Sequence, residues 1–207
     1  MESLSLNQQN INLLYLDNGE DIEICGINSI LENFELKIPA YINCKKVSSL
    51  LSIALCGCQK LTKLILPGTI KKIKERSMQG CNKLEEIVLS DGIEEIGAHS
   101  FWGNNNLRRI KFPKSLKKIG NRAFPFCQKL EYLNFNDGLK EIGSNNFKFL
   151  NLNYIYFPNS LEKIGSNVLY GSKIEKTIYQ GTEEEFNKNI KSKLKNVDFG
   201  VVYFILK

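Results

Sequence analysis

The sequence predicts an α/β solenoid with covered ends, and three observations carry that expectation. Apolar residues recur on a fixed step: Leu61, Leu84, Leu107 and Leu130 stand 23 apart, and Leu152 follows after 22. Two further columns, Leu64/Ile87/Ile110/Leu133/Ile155 and Leu66/Leu89/Phe112/Phe135/Phe157, keep the same step. A glycine then recurs at Gly97, Gly120, Gly143 and Gly165. A period of this length marks stacked units, each of which buries its apolar face only against its neighbours.

The bulk composition bounds the function. The chain has 207 residues, 43% hydrophobic and 24% charged, with a net charge of +6, as a soluble globular protein would. Lys outnumbers Arg 24 to 4, so the charge reads as solubility more than as phosphate recognition. The start, MESLSLNQQN, has neither a basic n-region nor an apolar run. No stretch approaches the ~18 apolar residues of a membrane span. A cytoplasmic protein with reduced thiols and no membrane partner is expected.

In chain order, residues 1–35 lack the repeat and are expected to form an irregular N-terminal cap, with strand candidates at 13–16 and 22–24. Repeats are expected over 36–179. The first copy, 36–60, is degenerate: Leu55 and Cys58 fall in register, with about five extra residues. From Leu61 onward each unit opens on a period-2 alternation, the mark of a short strand with one buried face. Turn chemistry follows at Pro67-Gly68, Asp91-Gly92, Pro113-Lys114, Asp137-Gly138 and Pro158-Asn159. Next stand apolar pairs three apart, such as Ile93/Ile96 and Leu116/Ile119, and then the glycine column. That column implies either positive φ or a close approach of adjacent coils. The small-then-bulky steps Ser100-Phe101 and Ala123-Phe124 suit a single helical or 3₁₀ turn packed on the core. Residues 180–207 are expected to form the C-terminal cap. Thr182 and Glu185 have capping-box spacing. A helix over 182–195 would run from Glu183, Glu184 and Glu185 to Lys188, Lys191, Lys193 and Lys195, the order a helix dipole favours. Residues 197–206 read as an edge strand.

The Leu107 unit, LRRIKFPKSLKKIGNRAFPFCQK, follows the pattern L-P-x-x-L-x-x-I-G-x-x-A-F-x-x-C nearly residue for residue. It resembles the BspA-like, 23-residue class of leucine-rich repeats. The segment Ile178–Phe186, IYQGTEEEF, resembles that family's terminal segment. The resemblance implies a parallel sheet on a concave face and short helical or 3₁₀ turns on a convex face. It also implies adhesion or protein recognition in general, with no cofactor and no small-molecule substrate.

If the strands line the concavity, alternation turns the third and fifth residues of L-x-x-I-x-L outward. The third-position column is Lys63, Glu86, Arg109, Tyr132, Tyr154 and Lys176. The fifth-position column is Ile65, Val88, Lys111, Asn134, Tyr156 and Ile178. These twelve are the candidate partner-binding residues. Tyr and Arg are enriched at interface hot spots, although strands favour Tyr and Val regardless of function. Trp102 marks a second candidate patch on the convex side. Ile110 is expected to be a core ladder position.

Little catalytic chemistry is legible. His99 is the sole histidine and shares a column with Arg76, Arg122 and Asn145, with no nucleophile or orienting acid in view. Cys58, Cys81 and Cys127 share a repeat column with Asn104 and Leu150, as small core residues would. Cys56-Gly57-Cys58 lacks zinc-site spacing and a second pair. No phosphate-binding glycine motif occurs. The expected function is a non-enzymatic protein–protein interaction module, in one version an inhibitor that masks another protein such as a host or phage defence component. The alternative is nucleic acid or nucleoprotein gripped by Arg108, Arg109 and Lys111 with the neighbouring tyrosines.

Overall fold

The computed structural model describes residues 1–6, 11–29 and 32–206, and the remaining parts of the expected caps, 7–10, 30–31 and 207, lie outside it. Two four-stranded parallel sheets form the concave face. The first contains Phe34–Lys37, Leu61–Leu66, Glu86–Leu89 and Arg109–Lys111. The second contains Tyr132–Asn134, Asn151–Phe157, Lys173–Gln180 and Val201–Ile205. Leu64 pairs with Ile87, Ile87 with Ile110, and Leu133 with Ile155, so the repeat columns are sheet registers.

The convex side differs from the helical or 3₁₀ turns expected. Its second apolar position lies on two-residue strands, Lys72–Ile73, Glu95–Ile96, Lys118–Ile119, Glu141–Ile142 and Lys163–Ile164, which form an unbroken parallel ladder. Turns follow in which Arg76, His99, Arg122, Asn145 and Asn167 adopt positive φ of 50–60°. The glycine column resolves to close approach: a Cβ on Gly97, Gly120, Gly143 or Gly165 would meet the preceding coil at 2.4–2.8 Å.

Two phenylalanine ladders fill the core. Phe101, Phe124 and Phe147 stack with centroids 4.8 and 5.0 Å apart. Phe112, Phe135 and Phe157 run beside them at 5.7 and 5.8 Å. Each such ring pair adds about 0.5–1.5 kcal/mol beyond its buried area. In the column of small residues, Cys81 Sγ donates to the Leu55 carbonyl (3.0 Å), Asn104 Nδ2 to Met78 (3.1 Å) and Cys127 Sγ to Phe101 (3.3 Å).

The N-terminal cap is regular rather than irregular. Strands Glu2–Leu6, Ile11–Asp17 and Asp21–Ser29 form an antiparallel meander. Its last strand pairs in parallel with Lys45–Leu50 and so extends the convex sheet. Ile11, Leu13, Tyr15, Ile22 and Ile24 are buried under it. The extra length of the first copy forms a tight hairpin, with Asn43 and Cys44 both at positive φ (49° and 63°), between Tyr41–Ile42 and Lys45–Leu50. At the other end, Thr182 closes the expected capping box with Glu185. The helix is shorter than 182–195: an α-turn at Glu183–Phe186 continues as a π-turn over Asn187–Lys191. Phe186, Ile190 and Leu194 are buried against the last coil. The edge strand occupies Val201–Ile205, a narrower span than 197–206.

Candidate partner-binding face

The twelve residues expected on the concavity form two continuous rows within each half-sheet. Lys63, Glu86 and Arg109 are register partners, as are Ile65, Val88 and Lys111. Tyr132, Tyr154 and Lys176 align in the second sheet, as do Asn134, Tyr156 and Ile178. The structure lengthens both rows. Glu35 and Lys37 precede Lys63 and Ile65, and Val201 and Tyr203 follow Lys176 and Ile178. Sequence reading misses Glu35 and Lys37 because the first copy's hairpin breaks the step. It misses Val201 and Tyr203 because the cap helix is inserted before them. The run VVYFI is the one signal that could have found the second pair.

The two halves differ in chemistry. In the first, Glu86 bridges Lys63 (3.6 Å) and Arg109 (3.0 Å), so the two cations share one carboxylate. The surrounding basic patch is compensated too: Arg108 meets Glu131 (3.6 Å), Lys117 meets Glu94 (2.7 Å) and Lys118 meets Glu141 (3.4 Å). Among the described residues, Lys111 and Lys114 are the members of that patch that form no ion pair.

The second half is aromatic. Tyr132 and Tyr154 lie 6.0 Å apart, and Asn153 donates to the Tyr132 hydroxyl (2.9 Å). Tyr156 donates to Asp137 (2.5 Å). Lys176 sits 4.6 Å over the Tyr203 ring. Partial burial raises the pKa of both Tyr154 and Tyr156, and the Asp137 carboxylate raises Tyr156 further, so both hydroxyls stay neutral at ordinary pH.

Between the halves the concave sheet is interrupted. Arg109–Lys111 and Tyr132–Asn134 occupy adjacent coils, yet they belong to separate sheets. Ile110 is therefore only partly buried, which corrects its expected place in the core ladder; Leu64, Ile87, Leu133 and Ile155 in its column are fully buried. A cleft of 690 Å³ opens there, floored by Ile110, Phe112 and Phe135 and walled by Lys111, Tyr154 and Tyr156.

His99 stacks on Trp102 at 4.9 Å, and its buried Nδ1 has no partner. Burial, with the charges of Arg76 and Arg122, holds its pKa below the ordinary value. The six thiols form no disulfide, and among the described residues no three His, Cys, Asp or Glu side chains converge as a metal site would require. Among the described residues no helix is long and apolar enough to cross a membrane.

Comparison with known proteins follows the repeat. The BspA type leucine rich repeat region family matches residues 48–175 in six copies. A leucine-rich repeat protein of T. pallidum superposes with a TM-score of 0.65 at 23% identity, covering 91% of this chain and 96% of that one. A leucine-rich cell surface protein of Faecalibacterium prausnitzii superposes at 0.57 with 17% identity, covering 81% of this chain and 51% of the other. At these identities the likeness is one of fold. No curated protein matches the chain.

Proposed function

Because the chain belongs to the BspA-type leucine-rich repeat family, we propose that it is a non-enzymatic recognition module that binds a protein partner across its concave face. The observation that supports this most is the interrupted sheet, where Tyr154 and Tyr156 flank a cleft lined by the partly buried Ile110 and the buried Phe112, beside Lys111, which forms no ion pair. Half-buried tyrosines around an apolar recess, rimmed by charge, have the composition of an interface hot spot. In this reading the Tyr half anchors the partner, and the Lys63–Glu86–Arg109 half sets orientation through already bridged charges.

The test begins with capture and identification of the partner from the native cell, followed by titration with purified components. Replacing Tyr154 and Tyr156 together by Ala should weaken binding by at least about tenfold, roughly 1.4 kcal/mol, with the melting temperature little changed. A partner bound equally well by both proteins would overturn the concave-face assignment. If masking is the role, the partner's own activity should fall on adding the chain and return with the double variant. The nucleic-acid reading is less supported, because Arg108 and Arg109 are committed to Glu131 and Glu86. It would reassert itself if affinity fell steeply with salt.

A further inference from the structure

The convex side carries an irregularity of its own. One turn column holds glycine in four coils, Gly57, Gly80, Gly103 and Gly171, all with positive φ (69°, 73°, 74° and 73°). In the two coils between Gly103 and Gly171, the same left-handed position is filled by Phe126 (φ 65°) and Phe149 (φ 57°). Bulky residues are disfavoured in that conformation. These rings gain little burial in return, being 55% and 56% exposed. Strain without a packing reward concentrates at functional positions.

The rings also have company. Trp102 lies 6.2 Å from Phe126, and Tyr170 lies 5.9 Å from Phe149. A slot of 290 Å³ runs between them, bounded by Trp102, Arg122, Pro125, Phe126, Lys148 and Phe149, and no carboxylate lines it. Among the described residues, neither Arg122 nor the nearby Arg76 forms an ion pair, and Lys148 Nζ meets only the Asn145 amide oxygen at 3.4 Å. On the neighbouring two-residue strands, by contrast, Lys72 and Lys118 are paired with Glu95 and Glu141.

We propose that this convex slot is a second binding site, separate from the concave face, for an acidic peptide segment of a protein partner. A large apolar side chain of the segment would enter between Phe126 and Phe149. Flanking carboxylates would meet Arg122 and Lys148. The surface suits a side chain better than a row of nucleic-acid bases, which need free flat ring faces. One face of Trp102 is already stacked on His99, Phe126 is tilted 31° to the indole, and Phe149 meets Tyr170 at 90°.

The test is fluorescence anisotropy with a labelled synthetic peptide in which one phenylalanine is flanked by glutamates. Oligothymidylate and the same peptide with alanine for phenylalanine serve as comparisons. The double variant Phe126→Gly/Phe149→Gly restores the residue that the flanking coils carry, so it should melt no lower than the parent while losing at least about tenfold in peptide affinity. Arg122→Gln should weaken binding and flatten its salt dependence. Failure of the parent to bind the peptide, equal binding by the double variant, or tighter binding of oligothymidylate would each overturn the proposal.

Discussion

Cys81 and Cys127 do two jobs in a solenoid coil: each fills a buried core position, and each thiol answers a backbone carbonyl of the preceding coil. Asn104 meets the same carbonyl demand in the coil between, but its Oδ1 is left buried without a partner, which is the cost of using an amide where a thiol suffices. Burial pushes both thiols up to about 12 from an ordinary value of 9. Between those values the unfolded chain releases the protons and the folded chain retains them. Stability is therefore intact below pH 9 and declines as pH rises toward 12, by about 1.4 kcal/mol per pH unit for each thiol. Melting curves collected between about pH 8 and 10 should fall more steeply for the parent than for Cys81→Ser/Cys127→Ser, which keeps the donors without a titrating thiol. Parallel slopes would show that the loss comes from other groups, the tyrosines first among them.

At the scale of the single coil, the glycine column sets how closely units stack. A Cβ on Gly120 would lie 2.8 Å from the Ala98 nitrogen and 3.0 Å from the Ile96 carbonyl oxygen. Both are backbone atoms, so neither can yield by rotating a side chain. Gly120→Ala should cost about 1–3 kcal/mol, read as a lowered melting temperature. A variant that melts with the parent would mean the column is glycine for some other reason. The strands and this column were legible because a repeat repeats its errors as well as its rules, and one unit such as Leu107–Lys129 teaches the rest. The convex turns were not legible. Beside glycines and asparagines, their left-handed positions hold Ile, Arg, His, Leu and Phe, which do not signal that conformation by themselves. The N-terminal meander was legible in part: the strand candidates 13–16 and 22–24 lie within Ile11–Asp17 and Asp21–Ser29, but their antiparallel register is fixed by their partners, with no internal period to expose it. Both rows of the concave site were readable in the sequence, but the cleft beside them was not. The Leu107 and Leu130 units on either side of it carry the same pattern, and the interruption belongs to their pairing rather than to either unit.

For the whole molecule, the two faces are joined differently from end to end. The convex ladder runs unbroken from Asp21–Ser29 to Lys163–Ile164, while the concave ladder stops after Arg109–Lys111 and resumes at Tyr132–Asn134. The phenylalanine ladders cross beneath the gap, Phe101 to Phe124 at 4.8 Å and Phe112 to Phe135 at 5.7 Å, and keep the coils stacked. Nearest-neighbour contacts carry the stability of a solenoid, so the coil interface with fewest backbone bonds should open first. Native-state hydrogen exchange tests this directly. Amides of Ile110, Phe112 and Tyr132 should exchange faster than those of Leu64 and Ile155, which lie inside paired strands of the same face. Binding at the Tyr154–Tyr156 cleft should slow the first group and leave the second unchanged, because a partner seated there clamps the two half-sheets together. Uniform protection across the concave face in the free protein would mean that the halves behave as one sheet, and the cleft would then be a fixed recess.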